Sequence, residues 1–297
     1  MKELMFLVTS ILAIFGVNEK IYKVIDIVPM ENKTVKIGLM GDLSLGRYVT
    51  YIAREKNDFN WSFAKISSWL KKNDLNIANL EGPIVEKCPT VAKDTFIFCG
   101  DKRFLPELKK NKFIFNMANN HIFNYGEKGF EETKKYLDEE KIINFFDDYK
   151  ETEVNGIKLG FLGFDFISNP KLNEEEVLKT IKKYNKEVDW LVVSVHWGNE
   201  YLKNPEEWRK ILARKMVDSG ADIVHGHHPH VLQASEIYKN KIIYYSLGNF
   251  IFDQNWSKET SQSEVISLTI DKNRIISEEK LPIEIKFNSQ PTFAGQE

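Results

Sequence analysis

The sequence has no surplus of charge of either sign. Its 41 basic and 43 acidic residues give a formal net charge of −2, and no uninterrupted run of Lys and Arg reaches five residues. A protein that binds nucleic acid through its phosphates needs a basic patch or stripe. The composition therefore predicts no nucleic acid among the partners, and it shows no electrostatic footprint for an anionic membrane.

The sequence also lacks internal repeats, low-complexity segments and long Pro- or Gly-rich linkers. With 42% hydrophobic and 28% charged residues, it has the composition of a globular protein with a sizeable core. A chain of 297 residues can form one large domain or two small ones, at roughly 150 residues per domain. Because nothing in the composition divides it, we expect one domain over residues 35–297, preceded by a polar linker over residues 18–34.

Cysteine is scarce, since Cys88 and Cys99 are the only two in the chain. In an exported protein they could pair across a loop, whereas in a cytosolic protein they would more often be two reduced thiols. Both lie in one polar-flanked segment. We predict that they form a disulfide, which contributes on the order of 3 kcal/mol in the chain-entropy description of loop closure.

The amino terminus carries an uncharged apolar run, Leu4–Val17. The run is short for a membrane-spanning helix, which needs about 20 residues, but it has the length of the hydrophobic region of a signal peptide. Glu3 offsets the charge of Lys2, and no clean cleavage site follows before Lys20. A buried first helix or strand is the alternative. We expect residues 1–17 to be a signal peptide or membrane anchor, and the protein to be exported to the cell surface or to stay anchored outside the cytoplasmic membrane.

Short apolar runs rich in β-branched and aromatic residues alternate with amphipathic stretches. The predicted strands are Val35–Met40, Leu75–Leu80, Phe113–Ala118, Ile157–Phe166, Trp190–Val195, Ile223–His225 and Ile242–Leu247. The predicted helices cover residues 59–70, 130–137, 174–187 and 208–215. This alternation predicts a mostly α/β fold with helices on the faces of the sheet. A weaker pattern over Val265–Ile270 predicts an edge strand.

Polar side chains follow most of the predicted strands. These segments hold Gly41-Asp42, Asn79 to Gly82, Asn119 to His121, His196 to Gly198, His225 to His230 and Ser246 to Asn249. Ligands of open α/β sheets bind just beyond the carboxyl ends of the strands. All six histidines of the chain lie in these segments, so we expect several of them to meet at one rim.

The donors at these strand ends are carboxylate, amide oxygen and imidazole, with no thiolate. Imidazole together with carboxylate suits Zn, Mn or Fe, whereas an all-oxygen set would indicate Mg or Ca. His228 and His230 flank Pro229, which stiffens the backbone between them. We interpret His225 and His227 as core or capping residues, because strand alternation directs them away from a site built on His228 and His230.

Six motifs in unbroken order resemble the bacterial CapA family. They are GDLSLGR (41–47), NLEGPI (79–84), ANNHIFNYGEKG (118–129), HWGNEY (196–201), GHHPHV (226–231) and YSLGNF (245–250). That family is named for poly-γ-glutamate capsule synthesis and belongs to the calcineurin-like metallophosphoesterase superfamily. The resemblance implies a four-layer α-β-β-α sandwich of two mixed sheets flanked by helices, and a protein acting outside the cytoplasmic membrane.

The resemblance also implies a metal site and one catalytic residue. The implied ligands are Asp42, Glu81, Asn120, His196, His228 and His230. His121 would act as the general acid. Ser44 stands where the superfamily has an imidazole, and Asn124 where the family often has Asp. We therefore expect one tightly held divalent transition metal (Mn, Fe or Zn) near Asn120, His196 and His228, and a second, weaker one.

Two functions follow from the resemblance. In the first, the protein is a metal-dependent hydrolase whose substrate is a phosphoester or an amide of a γ-linked glutamyl capsule polymer. In the second, it is a non-catalytic accessory subunit of a membrane polyglutamate synthase complex, and the metal site survives as a structural or polymer-binding element. The imidazole missing at Ser44 fits the second function.

Overall fold

Two β-sheets stacked on each other form the centre of the protein in a computed structural model, which describes residues 33–89, 95–169 and 172–295. The strands are β1 (Val35–Leu43), β2 (Leu75–Leu80), β3 (Ile84–Val85), β4 (Gly100–Asp101), β5 (Phe113–Asn116), β6 (Asn144–Phe145), β7 (Lys150–Val154), β8 (Ile157–Asp165), β9 (Trp190–His196), β10 (Ile223–His227), β11 (Ser235–Tyr238), β12 (Lys241–Tyr244), β13 (Asn249–Ile251), β14 (Gln262–Ile270), β15 (Ile275–Lys286) and β16 (Gln290–Phe293).

Helices lie on both sides of these sheets. The α-helices are α1 (Arg47–Glu55), α2 (Ser67–Lys72), α3 (Leu105–Lys110), α4 (Gly126–Glu139), α5 (Glu174–Tyr184), α6 (Glu207–Asp218) and α7 (Lys258–Ser261). Short 3-10 helices cover Trp61–Ile66, Lys102–Phe104 and Asn185–Glu187. The expected signal peptide or anchor, residues 1–17, lies outside the described residues, as does the expected linker up to residue 32.

Both large sheets are mixed. The first has the order β16-β15-β14-β1-β2-β5-β6, with β13 also paired to β1, and the second has the order β11-β12-β10-β9-β8-β7. In the first sheet β1, β2, β5 and β6 run parallel, while β14, β15 and β16 are antiparallel. In the second, β8, β9, β10 and β12 run parallel. The parallel strands in the middle of each sheet bring their carboxyl ends to one edge.

Three apolar clusters fill the spaces between the layers. Between the sheets, Ile37 and Ile77 of the first pack with Leu159 and Val192 of the second. On the far side of the first sheet, helices α1 to α4 bury apolar residues against β1, β2 and β5. On the far side of the second, α5 and α6 pack against β9, β10 and β12. The order is therefore helix, sheet, sheet, helix, and it confirms the expected four-layer sandwich.

The predicted strands agree with the observed ones to within a few residues, and β2 agrees at both ends. One expectation is wrong. The Val265–Ile270 pattern belongs to β14, which lies between β1 and β15 and is not an edge strand. Alternation seen in one strand does not reveal the partners beyond it, here β15 and β16, whose residues are mostly polar or exposed.

The predicted disulfide is present, joining Cys88 and Cys99. Both cysteines are buried with Val85, and Tyr125 packs against them. Among the described residues, no helix combines the length and apolar character that crossing a membrane requires.

Candidate metal centre

The seven residues implied by the resemblance come together at the carboxyl ends of the parallel strands. Asp42 lies in β1 and His196 ends β9. Glu81 follows β2 directly, and the other four lie in the loops after β5 and β10. The two sheets meet here, because the Asp42 carboxylate faces the loop that follows β10. Polar residues lie at or next to the end of each of these strands, so the rim collects donors from both sheets.

Backbone contact between β1 and the loop before β13 positions Asp42. The Asp42 N–H donates to the carbonyl of Gly248 over 2.9 Å. A Cβ at Gly41 would lie only 1.7 Å from that same carbonyl oxygen. Glycine at position 41 is therefore required for the chain to approach Gly248 closely enough for this bond.

Asp42, Glu81 and His196 form a fully buried group, which we call the inner triad. Each offers a ligand atom, and these atoms lie within 4.8 Å of one another. The Asn79 side-chain amide donates to Asp42 Oδ1 over 3.0 Å and to Glu81 Oε2 over 3.2 Å. Glu81 Oε1 has no hydrogen-bond partner. A buried carboxylate oxygen without a donor is costly, and a cation at this point would remove that cost.

Asn120 extends the inner triad. Its side-chain oxygen lies 2.8 Å from His196 Nε2. The neighbouring Asn119 donates to Asn79 Oδ1 over 3.1 Å and to the carbonyl of Leu80 over 2.8 Å. The two asparagines of this motif therefore differ in role: Asn119 fixes the loop to β2, and Asn120 presents an oxygen to the site.

His228 and His230 reach the site through an unusual backbone. Their φ angles are +94° and +58°, a left-handed region that non-glycine residues rarely adopt and that concentrates at functional sites. His230 Nδ1 lies 3.2 Å from Asp42 Oδ2, and His230 Nε2 lies 3.4 Å from Glu81 Oε1. The His228 ring centroid is 4.7 Å from that of His196. The strained turn thus directs both imidazoles at the inner triad.

The charges of the inner triad are strongly perturbed. Burial raises the pKa of Glu81 well above its usual range. Burial also opposes ionisation of Asp42, but hydrogen bonds from His227 and His230 outweigh it and hold the pKa of Asp42 well below its usual value. Although burial disfavours a charged imidazole, Glu81 and Asp42 raise the pKa of His230 to about 9. The ionised Asp42 carboxylate and the charged His230 imidazole therefore lie side by side, while burial favours the neutral form of Glu81.

His121 lies beside the metal ligands rather than among them. Its Nε2 is 3.9 Å from Glu81 Oε1, and its Nδ1 is 3.1 Å from Asn124 Oδ1. Asn124 Oδ1 also accepts from the Phe98 N–H over 2.6 Å, and the Phe98 ring stacks on the imidazole with centroids 4.2 Å apart. Burial lowers the pKa of His121 to about 4. These contacts fix the ring with Nε2 towards the inner triad.

The prediction that strand alternation directs His227 away from the site is wrong. This histidine is fully buried, as expected of a core residue, but its Nδ1 lies 3.4 Å from Asp42 Oδ1. The reason is that β10 ends at His227 and the chain then turns at His228, so alternation could not be extended across that point. His225 lies two residues earlier in the same strand, and its ring packs against that of His227 with centroids 4.2 Å apart.

The sequence reasoning also missed a buried ion pair beside the site. Arg47 pairs with Asp253, donates to the carbonyl of Thr95 over 3.0 Å and lies over the Phe98 ring. Asp253 also accepts from the Tyr48 N–H over 3.1 Å, at the start of α1. Arg47 takes a positive φ of 48°. Arg47 is the last residue of the GDLSLGR motif, and its place in that motif was the feature of the sequence that could have indicated a role at the site.

The donor set fits a divalent transition metal. Carboxylate, amide oxygen and imidazole converge at one point and no thiolate takes part, which matches the preference of Zn, Mn or Fe. Asp42, Glu81, Asn120, His196, His228 and His230 could hold it. A cavity of about 540 Å³ opens beside Asn120, lined by Phe123, Phe146 and Phe164 among others.

Comparison with known proteins gives three findings. The family described as bacterial capsule synthesis protein PGA_cap matches residues 36–254. The capsule biosynthesis protein CapA of Bacillus anthracis is 32% identical over 87% of this chain and 69% of its own length. The PGA biosynthesis protein CapA of Bacillus subtilis (strain 168) is 34% identical over 83% of this chain and 70% of its own length.

The fold also has solved counterparts. A crystal structure of a phosphatase from Mycoplasma pneumoniae superposes with a TM-score of 0.55 and covers 84% of this chain and 94% of its own. The identity is 15%, so this likeness establishes the metallophosphoesterase fold alone.

Proposed function

This chain belongs to the family of bacterial capsule synthesis proteins described as PGA_cap, and from that premise we propose that it is a metal-dependent phosphoester hydrolase in the synthesis of a capsule polymer of the poly-γ-glutamate class. One observation carries the proposal. The inner triad places ligand atoms of two buried carboxylates and an imidazole within 4.8 Å of one another, and one carboxylate oxygen, Glu81 Oε1, makes no hydrogen bond although His230 Nε2 lies 3.4 Å away.

The residues around the inner triad would have different roles in the reaction. A divalent ion bound there supplies Lewis-acid activation of water and of the substrate oxygen. Asp42, Glu81, Asn120 and His196 would hold this ion, and the Asn79 amide bridges the two carboxylates by donating to both. His121 lies at the side, with its Nε2 3.9 Å from Glu81 Oε1. Because burial lowers its pKa to about 4, it would donate a proton to the leaving group only in its protonated form.

The cavity beside Asn120 has aromatic rings in its wall. Its wall carries Phe123, Phe146 and Phe164, together with Asp147 and Glu176. Aromatic rings suit an apolar or ring-bearing leaving group.

We further propose that the protein acts outside the cytoplasmic membrane. The apolar run Leu4–Val17 has the length of a signal-peptide core. The Cys88–Cys99 disulfide supports the same location, because such bonds persist in oxidising compartments and are rare in the cytosol. Cell fractionation that recovers the full-length, unprocessed chain in the cytosol would contradict this.

Hydrolysis of a generic aryl phosphate by the purified full-length protein tests the proposal. We expect turnover that depends on added Mn²⁺, stops with a chelator and is lost in His228→Ala. If the wild-type protein binds Mn²⁺ but does not turn over, and instead binds a polyglutamate synthase tightly, the hydrolase is wrong and the accessory-subunit function stands. Ser44 is the observation that favours this second function, because its hydroxyl is a much poorer metal ligand than an imidazole.

A further inference from the structure

A third carboxylate lies at the edge of the metal centre, on a residue that the family motifs did not assign. Glu200 is exposed, and it offers a ligand atom within 4.8 Å of those of His228 and His230. We call these three residues the outer triad. The outer triad shares no residue with the inner triad of Asp42, Glu81 and His196.

The loop that carries Glu200 is fixed to the loop that carries the two histidines. The Trp197 N–H donates to the carbonyl of His227 over 3.2 Å, and the Tyr201 N–H donates to the carbonyl of Pro229 over 2.8 Å. Glu200 lies between these two bonds, so its distance from His228 and His230 is set by the backbone. Tyr201 has a φ of +64°, a conformation that persists only where its surroundings impose it.

A buried arginine also packs against the loop that carries Glu200. Arg209 of α6 is fully buried and pairs with Glu206, and Glu206 Oε1 accepts from both the backbone and the side-chain amide of Asn199, over 3.1 and 3.0 Å. A Cβ at Gly198 would lie 2.6 Å from the Arg209 guanidinium carbon, and Gly198 has a φ of +83°. Both ends of the segment from Gly198 to Glu206 are therefore fixed, and Glu200 lies within this segment.

His228 supplies an independent sign that a ligand belongs here. Its Nδ1 is buried and has no hydrogen-bond partner, and the residue is 6% exposed. A buried imidazole nitrogen without a partner is rare, and a bound metal ion would satisfy such a nitrogen. Carboxylate with two imidazoles is a donor set that Mn, Fe and Zn share.

We infer that Glu200, His228 and His230 hold a second divalent ion, distinct from the one at the inner triad, and that Glu200 makes up for the imidazole missing at Ser44. Ser44 is a poor substitute for that imidazole, because a hydroxyl is a much weaker metal ligand and this one already accepts from the Gly46 N–H over 3.3 Å. This inference rests on the proposed metal-dependent function. It assigns the weaker of the two expected ions to the outer triad, and so groups His228 with His230 rather than with Asn120 and His196.

Equilibrium dialysis of the full-length protein against Mn²⁺, with bound metal counted by elemental analysis, tests this assignment. The variants are Glu200→Gln, which keeps the size of the side chain and removes its charge, and Glu207→Gln, a control that removes an exposed carboxylate paired with Lys210. We expect wild type and Glu207→Gln to bind two equivalents. Glu200→Gln should keep the first equivalent and bind the second at least tenfold more weakly.

The electron paramagnetic resonance spectrum of Mn²⁺ gives a second readout that does not depend on turnover. Two neighbouring ions should show a coupled spectrum in the wild type, and Glu200→Gln should show the spectrum of a single ion at the same Mn²⁺ concentration. If Glu200→Gln binds both ions with wild-type affinity, or loses both together, the outer triad is wrong. Two bound ions in a wild type that hydrolyses no phosphoester would instead overturn the proposed function and leave the assignment of Glu200 intact.

Discussion

At the scale of single residues, the site separates ligands from a residue that serves the chemistry. His121 is held by Asn124 Oδ1 at 3.1 Å and by the Phe98 ring, and it lies 3.9 Å from the nearest inner carboxylate oxygen. His196 and His230 lie within the cluster of carboxylates itself. The two kinds of histidine should therefore respond differently to substitution.

Replacement of His121 by Gln should lower kcat and leave the metal content unchanged. A positioned proton donor contributes typically about 10²- to 10⁴-fold to a rate, so we expect a loss within that range. Turnover of an aryl phosphate and elemental analysis of the same preparation measure the two quantities. A His121→Gln protein that loses its metal would show that His121 is a ligand.

The Ser44→His substitution restores the imidazole that the superfamily's first motif carries. Ser44 follows the β1 ligand Asp42 by two residues and is 3% exposed. We expect bound metal to rise towards two equivalents without excess metal in the buffer, and hydrolysis to rise with it. Unchanged metal content in a folded Ser44→His protein would mean that position 44 does not face the ions.

At the scale of secondary-structure elements, the sequence predicted what is buried better than what is exposed. β2 was predicted at both ends because all of Leu75–Leu80 is buried and apolar or amide-bearing. α1 was missed because Arg47–Glu55 mixes β-branched and aromatic residues, which favour strands, and begins at Gly46 without a side-chain cap. β15 was missed because its first half is charged and exposed.

The same reasoning explains which site residues were found. Asp42, Glu81 and His196 lie at or just after the ends of predicted strands, so the hydrophobic pattern of the sequence could locate them. Glu200 lies within the HWGNEY motif, but it follows no predicted strand directly, so the strand pattern did not mark its carboxylate as a ligand. Only the fold, which ties Tyr201 to Pro229, brings it to the histidines.

An element away from the site gives a prediction about acid stability. Asp101, at the end of β4, accepts from Arg54 over 2.7 Å and from the side chain of Arg103 over 2.7 Å. Burial alone would raise its pKa, but these hydrogen bonds lower the pKa of Asp101 from 3.8 to about 2. The ionised carboxylate therefore stabilises the fold fully above pH 3.8, and this contribution is lost as the pH falls towards 2.

Asp101→Asn should lower the free energy of unfolding at pH 7 by on the order of 1 kcal/mol, since solvent at the exposed Arg103 screens the pair. The difference from the wild type should shrink between pH 4 and pH 2. Urea unfolding of both proteins across this range measures it. A difference that stays constant down to pH 2 would show that the charge of Asp101 contributes nothing.

At the scale of the whole molecule, two sheets with their parallel strands ending at one edge create a site that neither sheet holds alone. The first sheet contributes the buried carboxylates and the second contributes the imidazoles, so metal binding joins the two halves of the sandwich. An ion bound only by the folded state also stabilises it. Metal removal should therefore lower the thermal unfolding midpoint as well as stop turnover.

The metal content of protein purified without a chelator is the most direct test of the central claim, that the inner triad is a metal site. The full-length wild type should carry near one equivalent of Mn, Fe or Zn. His196→Ala should carry almost none, because it loses the imidazole that faces both Asn120 and the two buried carboxylates. A wild type with no transition metal, even after soaking in Mn²⁺ or Zn²⁺, would contradict the account.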